Sequence, residues 1–145
     1  MEQSQMSLDI NMELLLDTNT LLWTLFGDKR LSKQAQSLIN NESNTIFVSA
    51  ASLWEIEIKH NKNPNLMPYS SKELLNVITG ETDFIILDTR PEYILSLKEI
   101  LEQKIHNDPF DHIILATAKN EQLKLLSSDK ILQQYSSLNI DIKII

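Results

Sequence analysis

The feature that most constrains this chain is a set of five short, nearly unbroken apolar runs. They are Glu13–Leu16, Thr45–Val48, Phe84–Leu87, Lys124–Ser127 and Asp141–Ile144. Runs this short and this continuous read as strands buried on both faces, which a parallel sheet covered by helices requires. The segments between them carry helical spacing: Leu31, Ala35, Leu38 and Ile39; Ala51, Trp54, Ile58 and the stem of Lys59; Ile94, Leu97, Leu101 and Ile105; Ile113, Ile114, Thr117 and Ala118. The resulting order, β–αα–β–αα–β–α–α–β–α–β, predicts an α/β fold around a mostly parallel sheet. Asn61 to Tyr69, with two prolines and three asparagines, reads as a surface connection, and Asn107-Asp108-Pro109 as a second break. No repeat or Pro/Gly-rich linker divides the chain. A length of 145 residues fits one domain. The abrupt apolar run after Met12 places that domain at 12–145, with residues 1–11 as an N-terminal extension.

Composition removes whole classes of chemistry. The chain has no cysteine, which excludes disulfides, thiol nucleophiles, iron–sulfur clusters and cysteine-based zinc sites. It has two glycines, Gly27 and Gly80, too few for a dinucleotide-binding turn or a P-loop. Thirteen Lys and Arg against twenty Asp and Glu leave a formal charge of −7. That balance argues against a broad electrostatic grip on a nucleic-acid backbone, but not against carboxylates that hold metal ions. The polar start lacks the basic residues of a signal peptide, and the apolar stretch Leu14–Phe26 is broken by Asp17-Thr18-Asn19. A cytoplasmic protein without a membrane span is the expectation.

Open α/β sheets carry their sites at the carboxyl ends of the strands. Asp17 directly follows the first strand there, and Asp129 follows the fourth in Ser127-Ser128-Asp129. Asp111 stands on the first turn of the helix before the fourth strand, and Glu55 lies inside the helix after the second. Each aspartate has a plainer reading. Asp17 and Asp129 suit helix N-caps, and Asp108 before Pro109 is a favoured cap with Asp111 at the third helical position. Glu55 sits among apolar neighbours and needs a partner, for which Lys59 is one turn away. Glu57 points elsewhere, into solvent. Four carboxylates delivered to one edge would repel, raising a pKa unless a cation joined them. Oxygen donors without Cys or His suit Mg²⁺ or Mn²⁺, whose bound water can attack a phosphodiester.

With these residues in place, the chain resembles a known family. Leu14-Leu15-Leu16-Asp17-Thr18-Asn19-Thr20-Leu21-Leu22-Trp23 is similar to the opening of a PIN domain, and Ser52-Leu53-Trp54-Glu55-Ile56-Glu57-Ile58-Lys59 to its second acidic block. His106-Asn107-Asp108-Pro109-Phe110-Asp111, followed by Ile113 to Ala118, resembles the third block, and Ser127-Ser128-Asp129 the fourth. The pattern is most similar to VapC-type toxins of bacterial toxin–antitoxin pairs, whose third block usually reads His-Arg-Asp-Pro-Phe-Asp-Arg. The resemblance implies a three-layer α/β/α sandwich and a Mg²⁺- or Mn²⁺-dependent endoribonuclease acting on single-stranded regions of tRNA or rRNA. It further implies a homodimer and a neutralising antitoxin. By position, Asp17, Glu55 and Asp111 form the metal-binding and catalytic triad, and Asp129 completes a quartet. Asp108 ranks as a cap first and a metal helper second. Thr18, Asn19 and Ser128 are secondary candidates that orient Asp17 or touch the scissile phosphate.

The chain also departs from its relatives. Asn107 and His112 replace the arginines flanking the third block, and His60-Asn61-Lys62-Asn63-Pro64-Asn65-Leu66 replaces the usual Gly-Lys-Leu. Lys59, His112 (when protonated) and Lys130 are the candidates left for gripping RNA. His106 and His112 form no helical ligand pair and read as structural hydrogen-bonding residues. Trp23 and Trp54 read as core or dimer-contact residues, not base-stacking platforms. Two other readings stay open. One is a PIN-like module that binds protein or RNA without cutting it. The other is a haloacid-dehalogenase-like phosphatase with Asp17 as nucleophile, in which Asn19 stands where the second acid belongs.

Overall fold

A computed structural model describes residues 11–145; the extension expected before Met12 lies almost wholly outside the described residues. Five strands form one sheet in the order β3-β2-β1-β4-β5. They are β1 (Glu13–Leu16), β2 (Thr45–Ser49), β3 (Ile85–Leu87), β4 (Lys124–Ser127) and β5 (Ile142–Ile144). All four pairings are parallel, with Leu16 beside Val48 on one side and beside Leu126 on the other. The expected strands are all present, within a residue at each end.

Six α-helices make the crossovers: α1 (Thr18–Phe26), α2 (Lys33–Asn40), α3 (Ala50–Lys62), α4 (Ser71–Glu81), α5 (Pro91–Glu102) and α6 (Pro109–Glu121). A 3-10 helix, Lys130–Leu138, links β4 to β5. The chain builds outward from β1 to β3, then returns past β1 to place β4 and β5 on the far side. Right-handed crossovers after this reversal put later helices on the opposite face. The core is therefore double. Leu14, Leu16, Val48 and Leu126 pack with Leu21, Ala35, Ile39 and Ile78 on one face. Leu15 and Leu125 pack with Tyr93, Ile100, Ile114 and Tyr135 on the other. Strand periodicity of two accounts for the split: neighbours in Leu14-Leu15-Leu16 serve alternate layers, and the result is the α/β/α sandwich.

Two helical stripes differ from the sequence expectation. In α3 the buried face is Ala51, Ser52, Glu55 and Ile56, while Trp54 is 61% exposed and Ile58 also faces outward. Polar Ser52 and Glu55 take the inward positions because they face a hydrogen-bonded site, not an apolar core. In α5, Tyr93 and Ile100 are buried, whereas Ile94 and Leu101 are exposed. Trp54 is thus not a core residue, and Trp23 is half-buried with the Arg30 guanidinium 4.9 Å over its ring.

The double core gives a direct test. Leu15 is fully buried at the centre of the sheet, whereas Leu95 is 80% exposed on α5. Leu15→Ala is expected to lower unfolding stability by about 2–5 kcal/mol in urea titrations. Leu95→Ala should stay within about 0.5 kcal/mol of the parent. Equal costs at the two positions would contradict this layering.

Candidate functional site

The reversal between β1 and β4 creates the crevice in which open α/β sheets bind ligands. Asp17 occupies it. Its main-chain N–H donates to the Leu126 carbonyl (3.2 Å), which continues the β1–β4 ladder by one more bond. One carboxylate oxygen caps α1 by accepting from the Thr20 N–H (2.9 Å), and the other accepts from the Ser127 hydroxyl (2.5 Å). The cap reading therefore holds, and capping leaves Asp17 facing the crevice. Burial pushes the Asp17 pKa up; the bonds from Ser127 and Thr20 oppose the rise, and the nearby Glu55 charge adds to it.

Glu55 reaches the same crevice from the second turn of α3, which begins directly after β2 with Ser49 as its cap. The carboxylate is buried. One oxygen accepts from the Thr18 hydroxyl (2.7 Å), which also lies 2.9 Å from Ser52 Oγ; the other meets the half-exposed Lys59 ammonium at 2.5 Å. Glu57, by contrast, lies outside, accepting from Ser71 and Asn61.

The third carboxylate enters from α6. Asp108 caps that helix, accepting from the Phe110 N–H (2.9 Å), Pro109 opens it, and Asp111 is its third residue. Asp111 is partly buried, and its pKa is pushed up to about 6. Desolvation is the main cause, and the charges of Asp108 and Asp17 act in the same direction. His106 opposes it, its Nε2 lying 2.8 Å from Asp111 Oδ2. Asp17 is thus coupled electrostatically to Glu55 and to Asp111, although the three come from separate segments. Asp129 is exposed and caps the 3-10 helix by accepting from the Ile131 N–H. Its connection to the centre runs through its main-chain N–H to Ser127 Oγ (3.0 Å) and from that hydroxyl to Asp17.

The secondary candidates divide. Thr18 is buried between Ser52 and Glu55, whereas Asn19 is exposed. Ser127, not Ser128, orients Asp17, because the β1–β4 register sets Ser127 beside it. His112 is buried, its Nε2 2.7 Å from the His106 carbonyl. That corrects the expectation that it grips RNA and agrees with a structural role. Lys59 and Lys130 remain exposed, the former engaged with Glu55. Sequence reasoning missed Ser52 and Ser127. The signal for both was a small hydroxyl residue on an inward-facing position two residues or one turn from a carboxylate.

A hard divalent cation fits this donor set. Buried or half-buried carboxylate oxygens with raised pKa values lack compensating charge, and Lys59 is committed to Glu55. A separate cleft of 1040 Å³ at the opposite end of the sheet, lined by Asn40, Asn44 and Glu81 among others, contains none of these residues.

The raised Asp111 pKa has a defined sign in stability. Folding raises it from 3.8 to about 6, so its favourable contribution is complete below pH about 4 and is lost as pH rises through about 6. In metal-free buffer, Asp111→Asn should therefore gain melting temperature relative to the parent as pH rises from 4 to 7. A difference independent of pH would refute the desolvated carboxylate.

Comparison with known proteins agrees with the geometry. The PIN domain family model matches residues 14–138. No curated protein sequence matches significantly. Among solved structures, a VapBC2 assembly from Rickettsia felis bound to a promoter DNA fragment is similar at TM-score 0.66 and 20% identity, covering 92% of this chain and 98% of that one. DNA-bound VapBC from Salmonella typhimurium gives 0.63 and 19%, with the same coverage. FitAcB from Neisseria gonorrhoeae gives 0.61 and 18%, covering 89% of this chain and 95% of that one. A family model spanning most of the chain, matched by a parallel sheet with acidic residues gathered at its reversal point, makes this protein a member of the PIN domain family.

Proposed function

We propose that this chain is a VapC-type toxin: a Mg²⁺- or Mn²⁺-dependent endoribonuclease that cuts single-stranded regions of RNA, tRNA or rRNA among them. The observation that carries this reading is the convergence of Asp17, Glu55 and Asp111 on one crevice, with two of their pKa values raised by burial and by one another. Such a centre wastes folding stability unless it binds a cation. Further support comes from structures similar over nearly their whole length, described as VapBC or toxin–antitoxin assemblies.

In this mechanism Asp17, Glu55 and Asp111 would hold the metal, and Asp129 would complete the acidic set from its exposed cap position. The bound ion would supply an activated water and stabilise charge on the phosphate and the leaving oxygen. Ser127 and Thr20 fix the Asp17 carboxylate, and Thr18 fixes that of Glu55, so the donor oxygens are already oriented. Lys59 limits the negative potential that RNA phosphates meet at the rim. Lys130, at the start of the 3-10 helix beside Asp129, is the second cation placed to meet the backbone. With a charge of −7 and few such contacts, affinity for RNA would depend only weakly on salt.

The proposed partners are a neutralising antitoxin and a second copy of this chain, and the proposed location is the cytoplasm. Among the described residues no helix is long and apolar enough to cross a membrane. Exposed Trp54 and Ile58 on α3, and Ile94, Leu95 and Leu101 on α5, provide apolar surface for such contacts.

The test is cleavage of a fluorogenic single-stranded RNA with Mg²⁺ or Mn²⁺. Asp17→Asn, Glu55→Gln and Asp111→Asn should each lower the rate by about 100-fold or more while circular dichroism stays unchanged. Variants that cut as fast as the parent would remove these residues from the active centre.

A further inference from the structure

His106 is not part of the carboxylate set, yet it has an unusually determined position. Its Nε2 lies 2.8 Å from Asp111 Oδ2. Its carbonyl accepts from His112 Nε2 at 2.7 Å, and the two rings meet edge to face at 6.3 Å. Beneath them Tyr135 is fully buried, and its hydroxyl has no hydrogen-bond partner among the described residues. Burial pushes the Tyr135 pKa up, the main chain of His106 opposes the rise, and the Asp111 charge adds to it.

His106, Asp108 and Asp111 each offer one donor atom, and the three atoms lie within 4.8 Å of one another. The spacing suits a metal. Adjacent ligands on an octahedral ion at about 2.1 Å lie roughly 3 Å apart, close to the separation of Nε2 and Oδ2. Charge points the same way. Asp108 and Asp111 are one helical turn apart at the start of α6, the Asp17 charge acts on Asp111, and one imidazole does not neutralise them. Asp108 uses one oxygen as a cap, and Asp111 uses one toward His106, so each keeps a second oxygen free of those bonds.

We propose that His106 Nε2 and carboxylate oxygens of Asp108 and Asp111 form a mixed nitrogen–oxygen subsite for a divalent transition-metal ion, with Asp111 shared with the Asp17–Glu55 centre. Nε2 would coordinate through its lone pair, so any proton it carries toward Asp111 would pass to solvent on binding. Imidazole favours transition metals over Mg²⁺, so this chain discriminates between ions that the all-oxygen centre accepts alike. The subsite goes beyond the nuclease reading, and its test does not depend on RNA cleavage.

The experiment is pulsed electron paramagnetic resonance on the full chain loaded with Mn²⁺. Uniform ¹⁴N protein and protein carrying ¹⁵N-histidine are compared, with calorimetric titration of Mn²⁺ and Mg²⁺ on the same samples. The expected result is a directly coordinated nitrogen that changes with the histidine label and disappears in His106→Asn. The ratio of Mn²⁺ to Mg²⁺ affinity should then fall by about tenfold in that variant. The nitrogen signal should persist in Asp17→Asn, where the carboxylate centre is crippled. Bound Mn²⁺ without nitrogen coupling, or coupling retained in His106→Asn, would overturn the subsite and leave the nuclease reading intact. Failure to bind either ion would overturn both. If His106→Asn does not fold, His106→Gln is read in its place, and nitrogen coupling retained there would overturn the subsite.

Discussion

A carboxylate buried between two parallel strands is the constraint on which this structure depends. Asp17 ends β1 where the sheet reverses direction, and Ser127 on the neighbouring β4 donates to it. Its cost is borne by the apolar layers on both sides, which fix the β1–β4 register to within a residue. A slip of one position would turn Leu15 toward the wrong layer and move Ser127 away from Asp17. Core packing and site geometry are therefore the same specification. Neither changes without the other.

The strands were legible because each is a short apolar run buried on both faces, and the all-parallel sheet followed from the helices between them. The caps at Asp17, Asp108 and Asp129 were legible as well, since Asp before a helix or before Pro has a local cause that tertiary contacts did not override. What failed was the assumption that an apolar stripe faces the core. On α3 the stripe containing Trp54 faces outward, because the same helix must turn Ser52 and Glu55 toward Asp17 and Thr18. Periodicity reports that a helix has two unlike faces, and it does not say which one is covered. The role of Ser127 and the partner of His106 were hidden for another reason. Their importance lies in one contact each, with Asp17 and Asp111, and only three-dimensional placement reveals a contact.

Electrostatics gives the centre its character. Asp17 and Asp111 hold protons more tightly than free carboxylates do, and the principal cause is desolvation. Mutual repulsion adds to it. The hydroxyls of Thr18 and Ser127 orient oxygens without supplying charge. The carboxylates are thus preorganised yet under-neutralised. That combination favours a small cation over a large organic one, because only a point charge can approach several carboxylates at once.

The joints between strands and helices carry a further meaning. Asp17 is the sole residue between β1 and α1, and Ser49 ends β2 while capping α3. No loop separates the sheet from the helices that bear Thr18 and Glu55. Local opening normally begins in loops, where few contacts resist it. Here the main chain at Asp17 is tied directly to the end of β1 and the helix bearing Glu55 directly to the end of β2, so amide exchange near both is expected to be slow. On the Asp17 and Glu55 side no loop among the described residues is placed to serve as a lid. Access to the crevice would then be set by whatever binds over it.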